Sequence, residues 1–243
     1  MGESMRRGGI HVLALGIFLL VLLVAGTITV LAVSGKITLN GSEPKKTAGR
    51  IVKVGTFNFS VSGLKVVNVN GGVSIVPANV SGVAVRSNLP VRASLQNDVI
   101  TVYCPAKHAH LGGGTICDDY RNGTVIVEVP AKLDCLTVEN VVGTVYVDVN
   151  ATNVELSNIV GTVKGRAWAD YTVSNIVGNV YINVRERATV SDVVGNVVIA
   201  VPSGKGAVLK AKNVMGNVLN DATGNGSVEV SVNDVVGNVE VGG

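Results

Sequence analysis

The sequence predicts an all-β chain, a parallel β-solenoid (β-helix) of about nine or ten short rungs, preceded by a single N-terminal transmembrane helix. Three observations predict it. A glycine-centred unit recurs six times from Leu136 onward, the residues between the glycines alternate apolar and polar, and an uncharged apolar run stands near the start.

The apolar run comes first along the chain. Residues 1–9 carry Arg6 and Arg7, and residues 10–33 contain no charge. As a helix, 10–33 would extend roughly 36 Å at about 1.5 Å per residue, enough to cross a bilayer with some tilt. Arg6 and Arg7 in front of it favour a cytoplasmic N-terminus and an extracellular C-terminal domain, with the membrane as first partner. Ala32-Val33-Ser34 offers an alternative signal-peptidase-like site. Arg6-Arg7-Gly8-Gly9 before an apolar run also weakly resembles the leader of archaeal prepilins, which implies filament assembly. Residues 34–54 are polar, carry Pro44, Lys45 and Lys46, and read as a stalk leading to a domain over 55–243.

Composition suits this division. Charged residues make up 15% of the chain against 47% hydrophobic, so Asn, Ser and Thr must supply much of the surface. With 30 glycines and 6 prolines, the balance fits short strands joined by many turns. No basic cluster interleaves with aromatics beyond the apolar run, which excludes a nucleic-acid footprint. Asn-x-Ser/Thr sequons at Asn40, Asn58, Asn79, Asn122, Asn150 and Asn225 are glycosylation candidates in a chain outside the cell.

The repeat reads V-x-[ND]-[VI]-[VM]-G-[NT]-V around Gly143, Gly161, Gly178, Gly195, Gly216 and Gly237, at spacings of 18, 17, 17, 21 and 21 residues. Three places before each glycine stand Asn140, Asn158, Asn175, Asp192, Asn213 and Asp234; two places after it stand Val145, Val163, Val180, Val197, Val218 and Val239. Alternation such as Leu136-Thr-Val138-Glu predicts a strand with one buried face. Asn or Asp with Gly predicts a corner, since both accept backbone conformations closed to other residues. A unit this small cannot bury its own apolar face, so successive units must stack. A looser version runs from Phe57 through Gly71-Gly72, with further rungs over Val80–Val85 and Val99–Tyr103.

The stretch F-N-F-S-V-S-G-L-K-V-V-N-V-N-G-G-V-S-I from Phe57, followed by the V-V-G-N-V units, resembles the putative adhesin family of bacterial and archaeal β-solenoid domains. The resemblance covers most of 55–243. It implies the architecture and a cell-surface adhesive role, and it carries over no catalytic residue.

Residues 104–119 interrupt the repeat as an insert loop holding Cys104, His108, His110, Cys117, Asp118 and Asp119. C-x3-H-x-H-x6-C could ligate zinc or copper, but its spacing matches no strong metal motif. Outside the cell a Cys104–Cys117 disulfide is the plainer reading, with pairings to Cys135 as alternatives. No metal, cofactor or catalytic residue is therefore assigned. The acids Glu139, Asp148, Glu155, Asp170, Glu186, Asp221, Glu229 and Glu240 fall in scattered columns, which disfavours a carbohydrate-active enzyme, the least favoured of three readings.

Three places after the glycine come Tyr146, Lys164 and Tyr181, an outward strip suited to sugar rings or a protein surface, with Trp168 near in sequence. The chain stops at Val239-Glu-Val-Gly-Gly, partway through a rung, so its last rung is expected to be an open edge. The sequence thus predicts a non-catalytic, membrane-anchored structural or adhesive rod. The alternative is a filament or lattice subunit that assembles through that edge. Surface glycans or copies of itself are the expected partners.

Overall fold

In the computed structural model the described residues are 45–243 except 59–60, 79–81, 108–113 and 131, and they form one unit, Lys45–Gly243. Nineteen strands follow one another along it. The first nine are β1 Lys46–Thr47, β2 Val52–Phe57, β3 Gly63–Asn70, β4 Gly72–Pro77, β5 Val83–Ser87, β6 Arg92–Gln96, β7 Val99–Tyr103, β8 Tyr120–Arg121 and β9 Thr124–Val129. The repeat region supplies β10 Lys132–Val142, β11 Val145–Val147, β12 Asn150–Val160, β13 Val163–Val177, β14 Val180–Val194 and β15 Val197–Ala200. It ends with β16 Gly206–Met215, β17 Val218–Asn220, β18 Ser227–Val236 and β19 Val239–Gly242. Seventeen strands join in one mixed sheet that curls, nearly closed and barrel-like, around a single apolar core; β1 and β8 pair separately.

The corner built by each repeat organises the sheet. Asn68, Asn140, Asn158, Asn175, Asp192, Asn213 and Asp234 all adopt left-handed backbone, with φ between 53° and 58°. Asn and Asp tolerate this region better than other side chains. The strand before the glycine enters one row, β7-β3-β10-β12-β13-β14-β18-β16, and the strand after it enters a second, β9-β4-β11-β13-β14-β15-β19-β17. Pairing within both rows is parallel. Like positions meet, as in Leu136↔Val154 and Val138↔Leu156, so the apolar columns stack into the core. Tyr171 occupies the column between Val154 and Ala188, and its ring fits because Gly165 and Ala188 leave room.

Two findings replace the uniform parallel solenoid of nine or ten rungs. First, the amino-terminal third is partly antiparallel: β6 pairs with β7, and β5 pairs with both β2 and β9. Of the stretches read as two further rungs, the one that contains β5 is antiparallel to both neighbours, whereas β7 runs parallel to β3 on one side and antiparallel to β6 on the other. The reason is local. Asn97 and Asp98 both have positive φ, 50° and 61°, and make a two-residue hairpin turn between β6 and β7. A parallel crossover needs a far longer connection.

Second, the last two units are out of sequence order. β14 pairs with β18, and β18 with β16, so the chain's final unit is inserted between the Gly195 and Gly216 units. The final unit is therefore interior, and the open edge belongs to β16 and β17.

The expected transmembrane helix, with its single-pass localisation and membrane partner, is not supported either. Among the described residues no helix is long and apolar enough to cross a membrane, and 10–33 lies outside those residues. β1 and the start of β2 fall within the stretch read as a stalk.

Candidate surface site

Alternation within β13 and β14 aims one set of side chains outward while Val163, Val180 and Ile182 face the core. The cross-strand register sets Tyr146 beside Lys164, and Lys164 beside Tyr181. At about 4.8 Å per strand the two tyrosine positions lie about 10 Å apart along the sheet, with the Lys164 position between them. Tyr181 is 40% exposed. The Tyr146 hydroxyl donates to Asp148 Oδ2 at 3.0 Å and accepts from Arg166 Nη1 at 3.5 Å. That hydrogen bond, with the charges of Tyr146 and Asp148, holds the Arg166 guanidinium above its ordinary pKa. Asn183 donates to the Arg166 carbonyl at 2.6 Å.

Trp168, 39% exposed, stands where the β13–β14 register shifts. β13 carries extra residues between Gly165 and Ala169, and β14 carries its own between Val184 and Ala188, so Arg166–Trp168 and Arg185–Arg187 bulge together. The two bulges are tied in place. Glu186 and Arg187 N–H groups donate to Asp170 Oδ1 at 3.1 and 3.3 Å, and Arg185 Nη2 reaches the Ala151 and Thr152 carbonyls at 3.3 and 3.1 Å. Sequence reading missed Arg166 and Arg185. Their signal was only that the Gly161 and Gly178 units carry bulky or basic residues where a turn was due.

The insert is closed by a Cys104–Cys117 disulfide with Cα atoms 5.9 Å apart, both cysteines buried; Cys135 is a free, exposed thiol. The Ile116–Asp119 turn is held by Asp118, whose Oδ2 accepts from the Thr115 N–H at 2.6 Å and whose Oδ1 accepts from Asn70 at 3.1 Å. Partial burial raises the Asp118 pKa, but these bonds and the Lys107 charge outweigh it and leave the pKa below the ordinary carboxylate value. His108 and His110 lie outside the described residues. Among the described residues no group of three or more His, Cys, Asp or Glu side chains could hold a metal ion.

Of the sequon asparagines, Asn58, Asn122, Asn150 and Asn225 are exposed, whereas Asn40 and Asn79 lie outside the described residues. The six glycines form a column that starts from Gly71, in which each lies against the glycine carbonyl of the unit before it in the stack. Its order is 71, 143, 161, 178, 195, 237, 216, following the sheet and not the chain.

No family model and no curated protein matches the chain. Solved structures similar to it include the following two. One is a putative adhesin from Bacteroides fragilis, 10% identical with a TM-score of 0.48, covering 81% of this chain and 99% of that one. The other is a putative cell adhesion protein from Clostridium sporogenes, 11% identical with a TM-score of 0.37, covering 79% of this chain and 97% of that one. Neither bears on the prepilin-like leader, whose residues 6–9 lie outside the described residues.

Proposed function

We propose that the chain is a non-catalytic, adhesin-like protein of the cell surface that binds glycan through the strip of Tyr146, Lys164 and Tyr181. The observation that carries this reading is the outward register of two tyrosines around a lysine, bordered by Arg166 and the exposed Trp168. Ring faces supply flat apolar contact at little entropic cost, and the cations and Asn183 supply donors to hydroxyl or carboxylate groups. The disulfide across the insert suits an oxidising exterior.

The test is binding to an array of neutral and acidic oligosaccharides, comparing the protein with Tyr181→Ala and Lys164→Ala. Tyr181→Ala should weaken binding at least tenfold without altering the melting temperature. Retention of full binding by both variants, or turnover of any arrayed glycan, would overturn the reading.

A second reading, assembly through a sheet edge, is favoured by β16 and β17. There Val208, Val218 and Leu219 are each more than 40% exposed, because no strand covers them.

A further inference from the structure

The residue just before each glycine is apolar in all six units, yet it does not face the core. Val142, Val160, Val177, Val194 and Val236 are 49–54% exposed, and Met215 is 73% exposed. The cause is the left-handed Asn or Asp two places earlier. After it the chain resumes alternation with Val141, Ile159, Ile176, Val193 and Val235 buried, which turns the next residue out. Pairing sets these residues in one line: Val142↔Val160, Val160↔Val177, Val177↔Val194, Val194↔Val236 and Val236↔Met215. Six side chains at about 4.8 Å intervals make a straight ridge about 24 Å long.

Cross-strand packing of branched side chains accounts for part of this preference. It does not account for the uniformity. The outward column six places before the glycine runs Thr137, Glu155, Thr172, Thr189, Lys210, Ser231, and the column four before runs Glu139, Ser157, Ser174, Ser191, Lys212, Asn233. Those columns pair across the same strands and are polar throughout. Only the ridge is apolar in every copy.

We infer that this ridge is the interface through which a second copy of the chain packs side by side, ridge against ridge and antiparallel. Three features select that occupant. A row with a 4.8 Å period is filled along its whole length only by a row of the same period, so that each valine seats between two others; the same ridge on another copy has it. The flanking columns are almost uncharged and self-complementary. Asn140, Asn158, Asn175 and Asn213 lie on one side, and Thr144, Thr162, Asn179, Asn196, Asn217 and Asn238 on the other; Oδ1 of Asn179, Asn196 and Asn238 each accepts a backbone N–H along the stack, which leaves their NH2 groups and the threonine hydroxyls for a partner, and Asp192 and Asp234 are the only charges. Finally, the ridge exposes about 500 Å² of apolar side chain, the size of the largest patches on typical monomers, which are often functional. Two ridges together bury at most about 1,000 Å² before the amide columns are added, the size range of weak, transient pairs, which predicts reversible association. A two-fold axis through the ridge's midpoint falls between Val177 and Val194.

Sedimentation velocity of the full chain over a wide concentration range tests this. The protein should form a reversible dimer, and Val177→Asp should raise its dissociation constant at least 100-fold. Leu219→Lys, on the open sheet edge, should leave the dimer intact. In a Cys135→Ser background, Val177→Cys copies should cross-link under mild oxidation to Val194→Cys copies and not to Val208→Cys copies, a readout that survives if Val177→Asp fails to fold. A protein monomeric at every concentration, a dimer abolished by Leu219→Lys, or cross-linking that prefers position 208 would each overturn the inference.

Discussion

Replacing Gly178 by alanine probes the contact on which the stack depends. Gly178 has φ 143° and lies directly against the Gly161 carbonyl; an added Cβ would sit on that oxygen and 2.7 Å from its carbon. The obstacle is backbone, so no side-chain rotation relieves it. The two units must separate by about an ångström, or the corner must leave its conformation. Separation weakens the bonds that hold this corner: Gly161 N–H to the Val177 carbonyl at 2.9 Å, Gly178 N–H to Val194 at 2.8 Å and Val163 N–H to Asn179 at 2.9 Å. Losing two of these costs about 2 kcal/mol, and residual backbone strain adds about 1–3 kcal/mol. The expected loss is therefore about 3–5 kcal/mol, a large fraction of the ~5–15 kcal/mol that keeps a domain folded. Gly242→Ala is the control, since nothing lies within 4 Å of its Cβ position and its φ is unremarkable. Guanidinium unfolding followed by circular dichroism measures both. If Gly178→Ala comes within about 0.5 kcal/mol of the parent protein, close approach of the glycine column is not what sets the corner sequence.

Two further outcomes follow from the insert and the core. Removing the Cys104–Cys117 bridge as a double serine variant should cost about 3 kcal/mol in denaturant unfolding, since it frees a loop with a sequence separation of 13, while peptide mapping without reductant should recover Cys135 as the reactive thiol. Tyr171 is buried and its hydroxyl donates to the Ala167 carbonyl at 3.1 Å; burial, reinforced by the Asp148 charge, pushes its pKa well above the ordinary value. The folded-state value thus exceeds the unfolded value of about 10, so its contribution is whole below pH 10 and is lost as pH rises beyond it, at up to about 1.4 kcal/mol per pH unit. Tyr171→Phe should cost about 1 kcal/mol at neutral pH and flatten that alkaline decline in a melting series; an unchanged decline would place the destabilising titration elsewhere.

Much of the corner was legible from residues alone. The Asn/Asp and Gly columns predicted special backbone, and the alternation around Leu136 and Val138 predicted which side chains are buried, because both follow from the conformation of a single residue or strand. Even the departures left traces. Asn97-Asp98 between two alternating runs is a hairpin signal, and the spacing of 21 before Gly216 and Gly237, against 17 or 18 earlier, supplies the residues with which the chain skips a strand position and returns.

What local sequence determined, then, was the unit: its corner, its buried column and its β character. The tertiary structure alone decided which units are neighbours. Pairing energy between strands that share the same V-V-G-N-V pattern hardly depends on which copy is the partner, so sequence order does not fix stacking order. The geometry of the connections does, and it places the final unit inside the sheet. It also aligns five valines and Met215, one residue from each unit, into a ridge that no single unit displays.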